Sequence, residues 1–236
     1  MFISSIIYFI KRKILPGYKV EKSDLVIDIG SGDKPFWRAN VFFDNLSLDN
    51  LQRNTHGDTI DTIGKFVNGD ITDTDFKDKV FDFSFCSHVL EHVKKPDLAI
   101  KEIMRISKAG YIEVPNGLLE YIKPFSSHLW FVFSHNNKLI FFRKSSKLHN
   151  VLNENSNNYS FLINKIKNPF IRLYWKDKID YEIVDIGSSL KGFIPPSIKS
   201  VNQEEDANSS MLLLLSKKWY IFIIKIMRKI HGVDKN

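Results

Sequence analysis

The stretch that decides the fold is DLVIDIGSGDKPFW, residues Asp24 to Trp37. Leu25 to Ile29 is a short apolar run rich in β-branched residues, typical of a strand buried on both faces. Gly30-Ser31-Gly32 closes the run, and glycines there let the backbone turn tightly and approach a ligand. A buried strand leading into a glycine turn is how α/β nucleotide-binding domains present a cofactor at the carboxyl edge of a sheet. A buried strand followed by an ordinary turn fits these residues equally well.

Strand and helix patterns alternate after this stretch. Val41 to Asp44 (VFFD) predicts a second strand that ends in an acid, and Phe66 to Asn68 predicts a third, closed by Gly69-Asp70. Val80 to Cys86 predicts a stronger strand, and Ser87 to Val93 is expected to begin as a helix. An amphipathic helix capped by Asp97 and ended by Gly110 follows, and then a strand from Tyr111 to Val114. This order predicts an α/β fold, a mostly parallel sheet with helices on its faces.

The first crossover is unusually short. Only Asp33 to Asn40 separates the glycine turn from the second strand, and that span contains Pro35. It holds one helical turn at most, whereas a parallel crossover usually needs a dozen residues or more. No G-x-G-x-x-G is present either, because Asp33 follows the second glycine.

The rest of the chain is predicted to complete a single domain. Trp130 to Phe133 and Leu139 to Phe142 flank His135-Asn136-Asn137 and predict an aromatic β-hairpin. Tyr181 to Ile186 and Met211 to Leu215 predict the last strands. The expected core is therefore about 20–116 and 179–217, with a substrate-side insertion at about 117–178 and an amphipathic helix at 219–231.

Composition narrows the class of protein. The 236 residues carry 34 basic and 27 acidic side chains, a net charge of +7, and the excess lies mostly near the two ends. That placement suits a membrane surface or an anionic partner better than nucleic acid. The apolar run FISSIIYFI near the N-terminus is too short to span a bilayer. Cys86 is the single cysteine, which excludes an internal disulfide framework and predicts an inert core thiol.

The ordered stretches resemble the class I S-adenosylmethionine-dependent methyltransferases, particularly the small single-domain ones. VIDIGSG, VFFD and NGDI resemble the first three motifs of that family, and VFDFSFC to IEVP resembles its fourth strand, following helix and fifth strand. The match covers roughly Asp24 to Pro115 well and the C-terminal strands weakly. SKAG replaces the more usual Pro-Gly-Gly before the fifth strand.

The resemblance implies a Rossmann-like, mostly parallel, seven-stranded sheet with helices on both faces and S-adenosyl-L-methionine as cofactor. It also assigns roles to individual residues. Asp44 would bind the ribose hydroxyls, with Asp49 as the second choice, and Asp70 would accept from the adenine amino group. An Asx turn is the competing reading of Asp70. The remaining positions predicted to surround the cofactor are Asp28, Gly30, Ser31, Gly32, Ile71, Ser87 and His88.

The predicted activity is methyl transfer to oxygen or nitrogen of a small-molecule, glycan or lipid-linked acceptor. His88 is the first candidate for a general base and His128 the second, ahead of His135. The expected setting is cytoplasmic, with the inner face of the membrane as an option through the terminal helices. A homodimer is a further option, and no nucleic-acid partner is expected.

Two other functions stay open on the sequence. His88 to His92 spells H-x-x-E-H, which on a helix could place two histidines on zinc with the glutamate as base of a hydrolase. Under the methyltransferase interpretation no metal ligand is assigned. The second alternative is a methyltransferase fold that binds without catalysing.

Overall fold

The structure is a computed structural model that describes residues 20–32, 35–45, 64–145, 169–184, 222 and 224–233. Several sequence predictions lie outside these residues: the N-terminal apolar run, Asp49 and the strand from Met211 to Leu215. Within the described part, the α/β class is confirmed.

The main sheet has six described strands in the order β3-β2-β1-β4-β5-β8. Strands β1 to β5 are parallel to one another, and β8 runs antiparallel to β5. The strands are β1 (Val26–Ile29), β2 (Val41–Asp44), β3 (Lys65–Asn68), β4 (Phe81–Ser87), β5 (Ser107–Pro115) and β8 (Phe170–Lys176). The order reverses at β1 and β4, and ligands bind α/β sheets at such a switch point.

Alternate residues of the strands pack into two apolar clusters. Ile27, Ile29 and Phe43 point into one, and Val26 and Phe42 into the other. Because successive side chains of a strand point to opposite faces, the clusters lie on opposite faces of the sheet. Both faces of the central strands are therefore buried, as the apolar β-branched run at Leu25 to Ile29 predicts.

A helix covers each face. Helix α1 (Pro96–Ile106) contributes Ile100, Ile103 and Ile106 to the first cluster. A C-terminal helix, residues 224–231 and here called α3, contributes Ile224 to the second. Helix α2 (Gly117–Ile122) is a short segment after β5.

The bounds of α1 correct two predictions. The helix begins at Pro96 with Lys95 at the N-cap, so Asp97 lies in the first turn and is not the cap. It ends at Ile106, and Gly110 lies inside β5. A Cβ at Gly110 would stand 2.5 Å from the Ser84 carbonyl oxygen and 2.7 Å from Trp175 Nε1, so the glycine permits close strand packing.

The predicted hairpin is present and belongs to a second sheet. Strands β6 (Trp130–His135) and β7 (Lys138–Arg143) are antiparallel, with Asn136 and Asn137 at positive φ in the turn. Strand β9 (Tyr181–Val184) adds to β7 in parallel. The small sheet thus has the order β6-β7-β9.

The predicted division into core and insertion is wrong in two places. Strand β8, placed in the insertion by its position in the sequence, is part of the main sheet beside β5. Strand β9, expected to be part of the core, lies in the small sheet. Its sequence YEIV gives no signal of which edge it joins, because pairing partners are chosen by tertiary contacts.

Arg228 attaches α3 to the domain. Its side chain is 3% exposed and donates to the carbonyl oxygens of Trp37 at 3.0 Å and Ala39 at 2.5 Å. The guanidinium also lies over the Phe42 ring. In the described part of the chain, no helix has the length and apolar character needed to cross a membrane.

Candidate functional site

The predicted cofactor positions lie along one edge of the main sheet. In the parallel register Ile29 is opposite both Phe43 and Cys86, and Asp44 is opposite Asn68. The glycine turn, Asp44, Asp70 and Ser87 therefore follow or end four neighbouring strands at their carboxyl ends. This is the edge at which α/β sheets bind ligands.

The glycine turn depends on backbone that other residues rarely adopt. Gly30 has φ +68° and Gly32 has φ +50°. The backbone N–H of Gly30 donates to the Phe43 carbonyl oxygen at 2.8 Å, which ties the turn to β2. A Cβ at Gly32 would have only the Gly30 carbonyl oxygen nearby, at 3.9 Å, so among the described residues this side of the turn is open to a ligand.

Asp44 joins β2 to the glycine turn. Its Oδ2 accepts from the Gly32 backbone N–H at 2.8 Å, and its Oδ1 accepts from the Asn45 N–H at 2.7 Å. The residue is 4% exposed. A carboxylate oxygen can accept more than one hydrogen bond, so these two bonds do not use the full accepting capacity of the Asp44 carboxylate.

Asp28 fixes the short crossover after the glycine turn. It is buried inside β1, and its Oδ2 accepts from the Phe36 backbone N–H at 2.6 Å. The Phe36 ring in turn stacks on Phe85 of β4 at 4.5 Å between centroids. In the described residues 35–40 the crossover contains turns and no helix, as its length and Pro35 predict.

Asp70 forms the Asx turn that competes with the adenine role. Its Oδ1 accepts from the Thr72 backbone N–H at 2.9 Å and from Thr72 Oγ1 at 2.8 Å. The residue is exposed at the sheet edge, whereas Ile71 is 6% exposed and packs in the core. Both hydrogen bonds use Asp70 Oδ1, and neither uses Oδ2.

His88 follows β4 directly and has a strained backbone with φ +59°. Non-glycine residues in this left-handed region are uncommon and cluster at functional sites. Its Nδ1 lies 3.0 Å from Glu91 Oε1 and its Nε2 lies 3.5 Å from Glu113 Oε1. Ser87 Oγ donates to the same Glu113 oxygen at 3.4 Å.

The H-x-x-E-H segment is not helical. Residues 88–92 form turns, closed by a hydrogen bond from the His92 N–H to the Val89 carbonyl oxygen at 2.9 Å. The prediction that this segment begins a helix is therefore wrong. The hydrolase motif requires two histidines one helical turn apart, and this backbone does not supply that arrangement.

Titratable side chains are packed together in the H-x-x-E-H segment and shift one another's pKa. Burial by itself would raise the pKa of Glu91, but the hydrogen bond from His88 and the nearby charges of His88, His92 and His128 together lower it. Burial lowers the pKa of His92, and the nearby His128 lowers it further, while the Glu91 carboxylate opposes this shift. Glu91 is therefore ionised and His92 neutral at neutral pH.

His128 lies beside His92 and is held by a buried acid. Its Nδ1 is 2.6 Å from Glu120 Oε2, and its ring meets the His92 ring edge to face at 4.7 Å between centroids. Lys144 Nζ donates to the other Glu120 oxygen. The third candidate, His135, is exposed at the end of β6.

Sequence reasoning missed two buried acids at this edge, Glu113 and Glu120, and considered Glu91 only as the base of the hydrolase alternative. Glu113 is fully buried, accepting from Tyr111 Oη at 2.8 Å and from Arg172 Nε at 2.8 Å. Glu113 alternates with apolar residues in the β5 stretch YIEVP, and a charged residue inside such a run is the available signal. Cys86, in contrast, is the inert thiol expected, because burial raises its pKa well above the ordinary value.

A family model matches part of the chain. Residues 39–112 match the model described as a methyltransferase domain. The matched segment runs from just before β2 into β5 and includes Asp44, Asp70 and the His88 segment. No curated protein matches the chain with significance.

Solved structures with similar folds are numerous and distant. The PH0226 protein from Pyrococcus horikoshii shares 18% identity with a TM-score of 0.41, over 64% of this chain and 80% of that chain. A structure from Thermotoga maritima is titled as an S-adenosylmethionine-dependent methyltransferase and possible histamine N-methyltransferase. It shares 15% identity with a TM-score of 0.38, over 66% of this chain and 70% of that chain. A Haloferax volcanii structure of the Trm112 methyltransferase activator in complex with a methyltransferase shares 17% identity with a TM-score of 0.37, over 57% of this chain and 76% of that chain.

The resemblance to the class I S-adenosylmethionine-dependent methyltransferases is confirmed by the family match. Methyltransferases of that family use S-adenosylmethionine as the methyl donor. The sheet edge fits such a donor on the chain's own geometry. It offers a turn with two positive-φ glycines, an open side at Gly32, and a buried carboxylate at the end of the neighbouring strand.

Proposed function

We propose that this chain catalyses methyl transfer from S-adenosylmethionine to an oxygen or nitrogen atom of an acceptor. The observation that carries the proposal is the hydrogen bond between Asp44 and the glycine turn. This bond holds the Asp44 carboxylate beside the open side of the glycine turn, at the point where the strand order of the main sheet reverses. The donor supplies an electrophilic methyl group on a sulfonium sulfur.

In this proposal the glycine turn and three acids bind the donor. Asp44 accepts from the two ribose hydroxyls as charge-assisted hydrogen bonds, which are stronger than neutral ones. Asp70 accepts from the adenine amino group with the oxygen that its Asx turn does not use, and Ile71 offers its backbone N–H to the ring. Asp28 holds the short crossover in place and stabilises the ammonium group in the methionine part of the donor. Ser87 lines the same methionine part.

His88 is the proposed general base for a hydroxyl acceptor. It follows β4 at the donor edge, and its strained backbone directs the ring between Glu91 and Glu113. Two carboxylates beside one imidazole favour its proton-accepting role because they stabilise the imidazolium that forms. His128 is the second candidate; Glu120 holds its Nδ1, which leaves Nε2 as the reactive nitrogen.

The proposed acceptor is a small molecule, a glycan or a lipid-linked glycan reached at the inner face of the membrane. The support is the outward side of α3, where Ile226 and Ile230 are exposed beside Lys225 and Lys229. Phe222, at the start of this helical segment, is also exposed. Apolar residues next to lysines suit the surface of an anionic bilayer. Arg228 does not take part, because it is bound to the domain.

Calorimetric titration with S-adenosylhomocysteine tests the donor site. The wild-type chain should bind it, and absence of binding by folded protein would refute the proposal. Transfer of a tritiated methyl group to a cell-envelope extract tests catalysis. Binding without transfer to any fraction would favour the non-catalytic alternative.

Flotation with anionic vesicles at low salt tests the membrane contact. The wild-type chain should co-float, and Phe222→Ser should do so less. Leu118→Ser is the matched control, because Leu118 and Phe222 are both 54% exposed and Leu118 lies outside α3. Equal flotation of the two variants, or none by the wild type, would contradict a role for α3.

A further inference from the structure

Three side chains beside the donor edge bring their ligating atoms together. Glu91, His92 and His128 each offer one donor atom, and the three atoms lie within 4.8 Å of one another. Glu91 and His92 come from the turn after β4, and His128 comes from the segment before β6. Nitrogen and oxygen ligands lie about 2.0–2.2 Å from a zinc ion, so these three atoms would move slightly closer together around one.

Both histidines are held in place by a hydrogen bond from Nδ1. His92 Nδ1 donates to the Ser127 carbonyl oxygen at 3.1 Å, which fixes the proton on that nitrogen. His128 Nδ1 lies 2.6 Å from a Glu120 carboxylate oxygen and donates to it in the same way. In the neutral tautomer that carries its proton on Nδ1, Nε2 of each ring holds the lone pair that binds a metal. A carbonyl or carboxylate on the other ring nitrogen is the usual second partner of a metal-bound histidine.

Glu91 supplies the negative ligand. Its side chain is 1% exposed, and Oε1 lies 3.0 Å from His88 Nδ1 and 4.0 Å from His92 Nε2. The other oxygen, Oε2, is buried and has no hydrogen-bond partner among the described residues. A buried carboxylate oxygen without a partner is costly, and coordination to a cation would offset that cost.

We propose that Glu91, His92 and His128 form a binding site for a divalent first-row transition metal ion. Two imidazole nitrogens and one carboxylate oxygen form a donor set found in catalytic zinc sites and non-haem iron(II) sites, so zinc is the first ion to test. The site differs from the H-x-x-E-H hydrolase arrangement, because His128 is a ligand and His88 is not.

Such an ion would keep open coordination positions, since three protein ligands do not complete its shell. His92 has a side chain that is 35% exposed, which leaves a path for the ion to enter. This part rests on the proposed function: an oxygen atom of the acceptor can fill an open position and be oriented next to His88. Binding of the ion itself does not depend on methyl transfer.

Metal binding to the full chain tests the proposal directly. Protein treated with a chelator and dialysed should bind Zn²⁺ at one ion per chain in calorimetry. The variants His92→Asn and His128→Asn should each bind at least tenfold more weakly, given the size of effects seen even for residues behind the ligands. His135→Asn is the matched control, because His135 is exposed on β6 and lies outside the cluster.

A spectroscopic measurement identifies the ligands. Co²⁺ in place of Zn²⁺ should give visible absorption typical of nitrogen and oxygen ligands, without the intense thiolate band that coordination by Cys86 would produce. Circular dichroism and titration with S-adenosylhomocysteine, run on the same variants, report whether they fold and keep the donor site. Folded variants that bind Zn²⁺ as the wild type does, or a wild type that binds none, would overturn the metal site. A wild type that binds S-adenosylhomocysteine but no metal would overturn it while leaving the proposed function intact.

Discussion

Gly30 packs directly against Val89. A Cβ at Gly30 would stand 2.2 Å from Val89 Cγ2, which is far inside van der Waals contact. The first glycine of the turn and the residue after His88 are thus in contact across the strand ends of β1 and β4. The glycine turn and the histidine segment are therefore in direct contact at this point.

Gly30→Ala should destabilise the protein more than Gly32→Ala. Both positions have positive φ, which costs an alanine about 1–2 kcal/mol. Only Gly30 adds a clash, and forced repacking costs a further 1–3 kcal/mol or so. Urea unfolding of the two variants measures the difference. Equal losses would show that Val89 moves aside at little cost.

Asp44→Ala should weaken S-adenosylhomocysteine binding by at least tenfold. The change removes the acceptor for the Gly32 and Asn45 N–H groups as well as the proposed ribose contact, and hydrogen bonds to a charged group contribute about 1.5–3 kcal/mol each. Calorimetry on folded protein measures it. Asp75→Asn, an exposed acid after β3, is the control and should bind as the wild type does. If the two variants bind alike, Asp44 has no part in donor binding.

Glu102 should make stability depend on pH in the acid range. Hydrogen bonds from Arg105 and Thr74 lower its pKa below the ordinary 4.5, with burial opposing them. The folded chain therefore binds this proton less readily than the unfolded chain. The stabilisation is complete above the ordinary pKa and is lost as the pH falls through the lower folded-state value.

The variant Glu102→Gln measures this contribution. At neutral pH it should be less stable than the wild type by roughly 1–3 kcal/mol, and the gap should narrow as the pH falls. Asp97→Asn on the same helix is the control, because Asp97 pairs only loosely with Lys101 at 3.7 Å. A gap that is constant with pH would exclude the carboxylate charge as its cause.

Two lysine–glutamate ion pairs with similar distances should differ strongly in their contribution to the free energy of unfolding. Lys144 and Lys138 each lie close to a glutamate, at 2.5 Å from Glu120 and 2.6 Å from Glu182. The first pair has side chains 3% and 2% exposed, and the second has side chains 43% and 49% exposed. Removing one partner of a buried pair leaves an uncompensated charge, whereas a surface pair contributes little.

Lys144→Met should therefore cost about 3 kcal/mol or more, and Lys138→Met less than about 1 kcal/mol. Thermal unfolding of both variants under one set of conditions checks this. A small effect at Lys144 would mean that His128 alone compensates the Glu120 carboxylate.

The sequence by itself determined the parallel sheet and its carboxyl edge. Buried strands are apolar on both faces, so the run at Leu25 to Ile29 and the acid at the end of VFFD can be read locally. Strands that are parallel end at the same edge, which places Gly30, Asp44 and Asp70 together once the sheet is assumed. The short crossover and the inert cysteine follow from local composition in the same way.

Only the tertiary structure decided which strands join which sheet and which charges are buried. Strand β8 pairs with β5, and β9 pairs with β7, because side-chain packing against distant neighbours selects the edge. Glu91, His92 and His128 meet because the turn after β4 contacts the segment before β6, a relation that no local pattern encodes. The left-handed backbone of His88 has the same origin, since contacts from surrounding elements must hold a strained residue in place.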